Sequence, residues 1–227
     1  MKKVFLALAV AVLAVSAATA SPAAKEKKIK IGLMGVAALD NAYGTNSLYL
    51  KDVDHPSVLG GGGGLMAQFK VGKSVVVEPE LLYVLAGLKA NMVNNDPTMA
   101  FTIINKVKLG YLELPVLLKY GVMGGKVKPT FFVGPALGML MSAKNETPEY
   151  VMYSFGTPIA TIPAATEDVK KIMNGTNVSV VGGVGWEIDR FTADLRGEYG
   201  FTDLYKDTGL GTTKLKVVKF TAGYFIL

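Results

Sequence analysis

No cysteine occurs anywhere in the 227 residues. Disulfides are therefore excluded, and an exported chain of this kind must gain its stability elsewhere. Lipid attachment at an N-terminal cysteine after processing is excluded as well. Long apolar runs are also missing: beyond residue 20 no uninterrupted run of 18 or more apolar residues appears, so the chain has no segment suited to cross a bilayer as a helix. Charge of one sign is not concentrated. Lys and Arg number 24 against 18 Asp and Glu, a formal net charge of +6. That balance is mild and points to no nucleic-acid partner. There is one histidine, His55, and one tryptophan, Trp186. Yet 50% of the residues are hydrophobic and the mean hydropathy is +0.35, which is high for a water-soluble exported protein. An apolar chain without spanning helices has one other way into a membrane, a closed β-barrel whose backbone groups all pair within the wall.

Residues 1–20 have the form of a secretory signal peptide. Lys2 and Lys3 are followed by an apolar run from Val4 to Val15, and Ala18-Thr19-Ala20 supplies the small-x-small cleavage pattern. Residues 21–227 then form one domain. Within it, eight segments of period-2 hydrophobicity lie near 28–39, 59–71, 74–87, 102–121, 128–143, 177–188, 191–202 and 214–227. Tight turns at Gly72-Lys73, Met123–Lys126 and Asp189-Arg190 alternate with long polar loops near 40–58, 88–101, 144–176 and 203–213. Short turns on one side and long loops on the other predict an all-β fold: an eight-stranded antiparallel up-and-down transmembrane β-barrel, with its turns periplasmic and its loops outside.

Alternation gives each strand two faces. Phe69, Tyr120, Phe131, Trp186, Phe191 and Tyr224 all fall on apolar faces near the short-turn ends. A lipid-facing band ends in such an aromatic girdle, whereas a soluble core has no reason to gather aromatics at one height. The apolar faces are thus assigned outward. The opposite faces carry Lys30, Gln68, Lys70, Glu78, Glu80, Glu113, Lys119, Glu187, Asp194, Arg196, Glu198 and Lys219, with glycines 62, 64, 134, 138, 183 and 185 leaving them room. Eight strands enclose a space just wide enough for side chains, and buried charges must be paired. A salt-bridge plug is the expectation. Arg196 should organise it, because a planar guanidinium holds two carboxylates at once, with Glu198 and Glu113 the acids expected beside it.

The segment Tyr111-Leu-Glu-Leu-Pro-Val-Leu-Leu-Lys-Tyr120 resembles the central motif of PorT-type outer-membrane β-barrel proteins. Phe132-Val-Gly-Pro-Ala-Leu-Gly138 and Thr221-Ala-Gly-Tyr-Phe225 are similar to its later motifs. The resemblance implies an eight-stranded barrel of the outer membrane, similar to OmpA/OmpX-like barrels, with secretion and cell-surface roles tied to the family. It also implies the barrel-assembly machinery as a biogenesis partner. Here the chain departs from the usual terminal aromatic, closing on Ile226-Leu227.

Other motifs are weaker. His55-Pro56-Ser57 has the residue types of a His-x-Ser pair used by lipid A deacylase barrels, but it lies in the first outer loop, where such a nucleophile–base pair has no strand to orient it. Gly72-Lys73-Ser74 ends like a phosphate-binding loop, but its setting is strand–turn–strand. Gly60–Gly64 marks a bend, a bulge or a place where bulky residues opposite need space. In the third long loop, Thr166 is placed to cap a short helix through Lys171 or Met173, and the apolar stretch from Tyr150 to Ile162 either folds over the barrel mouth or offers a surface to a partner. No catalytic residue, cofactor or metal ligand is assigned, and no enzyme activity is expected. The functional expectation is an integral outer-membrane barrel in contact with membrane lipid, with a plugged lumen and a structural or surface-interaction role through loop 144–176. A secretion or envelope-assembly accessory is the alternative. A small pore or a lipid-modifying enzyme is less favoured.

Overall fold

In the computed structural model, the structure describes residues 29–44, 53–54, 57–96, 98–121, 127–206 and 212–227. The signal segment, His55 and the Met123–Lys126 turn lie outside the described residues. Eight strands form the wall: β1 (Ile29–Gly44), β2 (Val58–Lys70), β3 (Val75–Asp96), β4 (Met99–Gly121), β5 (Val127–Thr147), β6 (Thr176–Ile188), β7 (Phe191–Gly200) and β8 (Thr213–Phe225). Each pairs antiparallel with its neighbours in sequence, and β1 pairs with β8, so the sheet closes on itself. Closure leaves no unpaired edge in the wall, which is the condition for spanning lipid. No described helix is long and apolar enough to cross a membrane.

Tight turns, the start of β1 and the end of β8 share one end of the barrel. Ile29 pairs with Phe69, Ile188 with Phe191, and Phe191 with Tyr224. Asp189 in the two-residue β6–β7 turn has φ of 51°, a left-handed conformation that a short polar side chain tolerates. Two pauses in the pairing of β4 fall between Pro79 and Leu82 on its neighbour β3 and between Pro115 and Leu118 on β4 itself. Each begins at a proline, which has no N–H to donate.

Gly60 to Gly64 form the part of β2 where its neighbours come nearest. A Cβ on Gly62 or Gly64 would run into the carbonyl oxygens of Tyr83 and Leu81 on β3, while one on Gly61 or Gly63 would lie 2.8 Å from those of Val36 and Met34 on β1. The run therefore lets two backbones close on a third, a role glycine alone fills. At Gly185 the carboxylate of Asp194 takes the space instead, and at Gly183 the ring of Phe132 adds to the Leu195 carbonyl.

Beyond the barrel the structure differs from two expectations. Residues 88–101 are not a polar loop. β3 and β4 continue as one hairpin to Asp96 and Met99, because Thr102 and Ile104 carry strand-favouring side chains onward. Asp96 Oδ1 closes the turn by accepting from the Thr98 N–H and hydroxyl at 2.8 and 2.6 Å. Nor does Thr166 cap a helix. Ala165–Asp168 pairs with Lys144–Thr147 at the end of β5, followed by a single 3-10 turn at Lys170–Ile172. A helix of so few residues is marginal alone, and the open side of β5 supplies backbone partners instead. Between them Tyr150–Ser154 and Thr157–Ile162 form a hairpin whose first strand pairs with Ala100 and Phe101 of β4. The apolar stretch thus extends the β3–β4 wall outward as a sheet. The mouth is filled by other residues: Met173 and Leu204, both buried, join Leu109, Tyr111, Leu140, Leu215 and Val217 in an apolar cluster across the loop end.

Candidate functional site

Burial alternates along most of the wall, and the charged faces are the buried ones. Phe131, Tyr120, Trp186, Phe191 and Tyr224 are exposed and Phe69 is half-buried, on the outer wall at the turn end. Inside lie Glu78, Glu80, Glu113, Lys119, Asp194, Arg196, Glu198 and Lys219, all buried, with half-buried Lys30, Lys70 and Glu187 nearer the turns.

Three tiers are built from them. At the turn end Lys30 meets Glu187 at 2.5 Å, and Gln68 donates to Glu78 at 2.7 Å and to Glu187 at 3.3 Å. In the middle, Lys119 lies 2.7 Å from Glu78 and 2.9 Å from Asp194. Arg196 takes Glu80 through both terminal nitrogens, at 2.7 and 2.8 Å, and donates to Asp194 at 2.7 Å. Toward the loops, Lys219 bridges Glu113 and Glu198 at 2.5 and 2.6 Å, and Ser179 donates to Glu198 at 2.7 Å. The acids beside Arg196 are therefore Glu80 and Asp194. Glu113 and Glu198, expected there from their parity, sit one tier higher on Lys219. Parity along one strand gives a face, but the stagger between strands sets the height, and alternation does not encode it.

Two features escaped the sequence reading. The ring of Phe132 packs under two cations, 5.0 Å from Lys119 Nζ and 5.5 Å from Arg196 Cζ, close enough for cation–π attraction in a dry interior. Asp40 is buried and accepts the Gly87 N–H at 2.9 Å. It shares the parity of Lys30 but falls beyond residue 39, where the first segment was ended. Among the described residues no three His, Cys, Asp or Glu side chains converge as metal ligands would. His55 lies outside the described residues, and Ser57 is exposed.

Tier by tier the interior is occupied by paired charges and by apolar packing. Besides the cluster at the mouth, Met34, Val36, Met66, Leu82, Val84 and Phe225 pack together, as do Leu117, Phe132, Ala136 and Val181. Such an arrangement holds the wall from within. Each of the three buried cations, Lys119, Arg196 and Lys219, reaches two carboxylates, so none of them is left unpaired.

A closed eight-stranded sheet with an apolar exterior and a charged interior defines an integral protein of the outer membrane. The chain belongs to the outer membrane protein beta-barrel domain family, whose model matches residues 29–206. None of the curated proteins matches it. Similar solved structures include OprG of Pseudomonas aeruginosa, with 11% identity over 88% of this chain and 97% of that one, at a TM-score of 0.44. Ail, the attachment invasion locus protein of Yersinia pestis, has 12% identity over 88% of this chain and 100% of that one, at 0.37. The Neisserial surface protein NspA has 13% identity over 86% and 96%, at 0.38. At such identities the likeness is one of fold and assigns none of their roles to this chain.

Proposed function

We propose that this barrel is a non-conducting outer-membrane scaffold that presents a sheet of its loops to a surface or envelope protein. The observation that carries the proposal is the filled lumen. Arg196, Lys119 and Lys219 are buried, each bound to at least two carboxylates, and the mouth above them is closed by Met173 and Leu204. An ion would have to break these pairs and cross that apolar lid, and leaving buried charges unpaired is costly. Activity would then reside outside. The hairpin at Tyr150–Ile162 exposes Tyr153, Phe155 and Ile159 beyond the wall, and Phe155 holds a φ of 47° at its tip. A bulky residue rarely keeps that conformation without a reason. The resemblance of Tyr111–Tyr120 to PorT-type barrels supports a partner within the envelope.

Planar-bilayer recording tests the reading. The purified barrel should insert without conducting. Steady single-channel steps from the wild-type protein would refute it, whereas Phe155→Ser should lower the yield of crosslinked envelope partners without changing the electrical silence.

A further inference from the structure

Above the apolar exterior of β3, β4 and β5 the outer wall becomes basic. Leu88 and Val107 turn inward against the cluster at the mouth and Ala143 is buried. Their neighbours Lys89, Lys106, Lys108 and Lys144 consequently face outward. In register, Lys89 stands opposite Lys106 and Lys108 opposite Lys144. A fifth lysine joins them: Lys170, on the turn after Ala165–Asp168, donates to the carbonyl of the exposed Met141 at 2.8 Å. Among the described side chains two acids accompany the five cations. Glu146 is opposite Lys106 and bonds Lys108 at 2.7 Å. Asp168 is opposite Lys144, but its Oδ1 accepts the backbone N–H of Lys170 at 2.9 Å. Like charges directly across a ladder destabilise it, and here two such pairs adjoin with too few carboxylates to compensate.

Their height is informative. Tyr120 lies at the girdle and Lys108 twelve residues further up the same strand. At about 3.4 Å per residue that is about 41 Å along the strand, and at a tilt of about 40° it is about 31 Å along the membrane normal, just past an apolar band about 25 Å tall. Between band and lysines sits Gly110, where a Cβ would lie 2.6 Å from Ser142 Oγ and 2.8 Å from the Tyr83 hydroxyl. Two hydroxyls therefore converge under the lysines at the edge of the apolar wall. This patch is on the lipid side of the barrel, not at its mouth.

We infer that the patch formed by Lys89, Lys106, Lys108, Lys144 and Lys170 binds the phosphate groups of a phosphorylated glycolipid in the outer leaflet. Lysines supply compact charges suited to phosphate, the Ser142 and Tyr83 hydroxyls can donate to its oxygens, and the apolar wall below accepts acyl chains. A phosphate seated between the paired lysines would relieve their repulsion. The inference does not depend on whether the lumen conducts.

The test uses the full barrel in zwitterionic phospholipid nanodiscs carrying either phosphorylated lipid A or its dephosphorylated form, with bound glycolipid read by native mass spectrometry. The wild type should retain the phosphorylated form preferentially, and the preference should fall as salt is raised. Lys106→Gln/Lys108→Gln/Lys144→Gln should lose about tenfold or more in that preference, since each lysine near an anionic surface adds to the attraction. Lys73→Gln/Lys128→Gln, at the turn end and outside the patch, should lose nothing. Equal retention of both glycolipids by the wild type would overturn the assignment, and so would a triple variant that binds as the wild type does. If a soluble sulfated polysaccharide displaced the glycolipid with the same lysine dependence at equal anion concentration, the patch would belong to a soluble polyanion and the lipid assignment would fall. Should the triple variant fail to fold, the comparison of the two glycolipids on the wild type and its salt dependence still decide.

Discussion

Replacing Arg196 by methionine removes a buried charge while keeping most of the side chain's length. Its two partners are not left in the same position. Asp194 still has Lys119 at 2.9 Å, whereas Glu80 makes its ion pair with Arg196 alone, through two contacts of 2.7 and 2.8 Å. The penalty should therefore fall mainly on Glu80. Breaking a buried pair by deleting one partner costs about 3–5 kcal/mol, a large part of the stability of an ordinary domain. Urea titration of barrels folded into lipid vesicles, followed by tryptophan emission of Trp186, measures it. Arg196→Met should lower stability by about 3–5 kcal/mol, while Lys106→Ala, an exposed site, should stay within about 0.5 kcal/mol. The identity of the coupled acid is the sharper result. Arg196→Met/Glu80→Gln should recover a good part of the loss, since the unpaired carboxylate is gone, and the double-mutant cycle should give coupling of about 1.5–3 kcal/mol. Arg196→Met/Glu198→Gln should recover nothing, because Glu198 belongs to Lys219 at 2.6 Å. If Arg196→Met unfolds at the wild-type midpoint, or if Glu198 couples and Glu80 does not, the tiers drawn above are wrong.

Charge on the outer wall should be rejected: Leu195→Arg, at an exposed outward position, should cost about 2–4 kcal/mol near the bilayer midplane in the same titration. Gly64→Ala should prevent folding or lower stability sharply, because its Cβ meets the Leu81 carbonyl, whereas Gly35→Ala, whose nearest atom is 3.9 Å away, should fold normally; heat-dependent mobility on a gel separates the two outcomes. Unboiled wild-type protein should migrate differently from boiled, since a closed ladder resists detergent until heated, and identical mobility would argue against closure.

Period-2 alternation carried most of the fold. Eight segments, their facing and the tight turns at Gly72-Lys73 and Asp189-Arg190 follow from it, because one buried face per strand leaves little freedom of register. Alternation does not carry what depends on neighbours. Arg196 could be put on the inner face from Asp194 and Glu198 beside it, yet its hold on Glu80, 116 positions away in sequence, depends on stagger around the ring. Asp40 shows the same limit at a strand end, where a boundary set one residue short removes a buried acid from view. The helix expected from Thr166 rested on local capping signals, and pairing with Lys144–Thr147 overrode them. Residues 88–101 look polar enough for a loop, but a hairpin that runs on past the apolar band can be polar on both faces and still pair along its length.

The central claim is that alternate side chains enter lipid and a sealed interior, and the cysteine-free chain allows it to be tested one thiol at a time. Single cysteines at Ala193 and Ala222 on the outer wall, and at Ser179 and Thr221 inside, where both native residues are buried, can be labelled during unfolding or probed in folded vesicles. A fluorophore at 193 or 222 should be quenched by brominated acyl chains, and thiols at 179 and 221 should resist a water-soluble maleimide until the barrel is unfolded. Rapid labelling of 179 and 221 in the folded protein, with 193 and 222 unquenched by brominated lipid, would contradict the account.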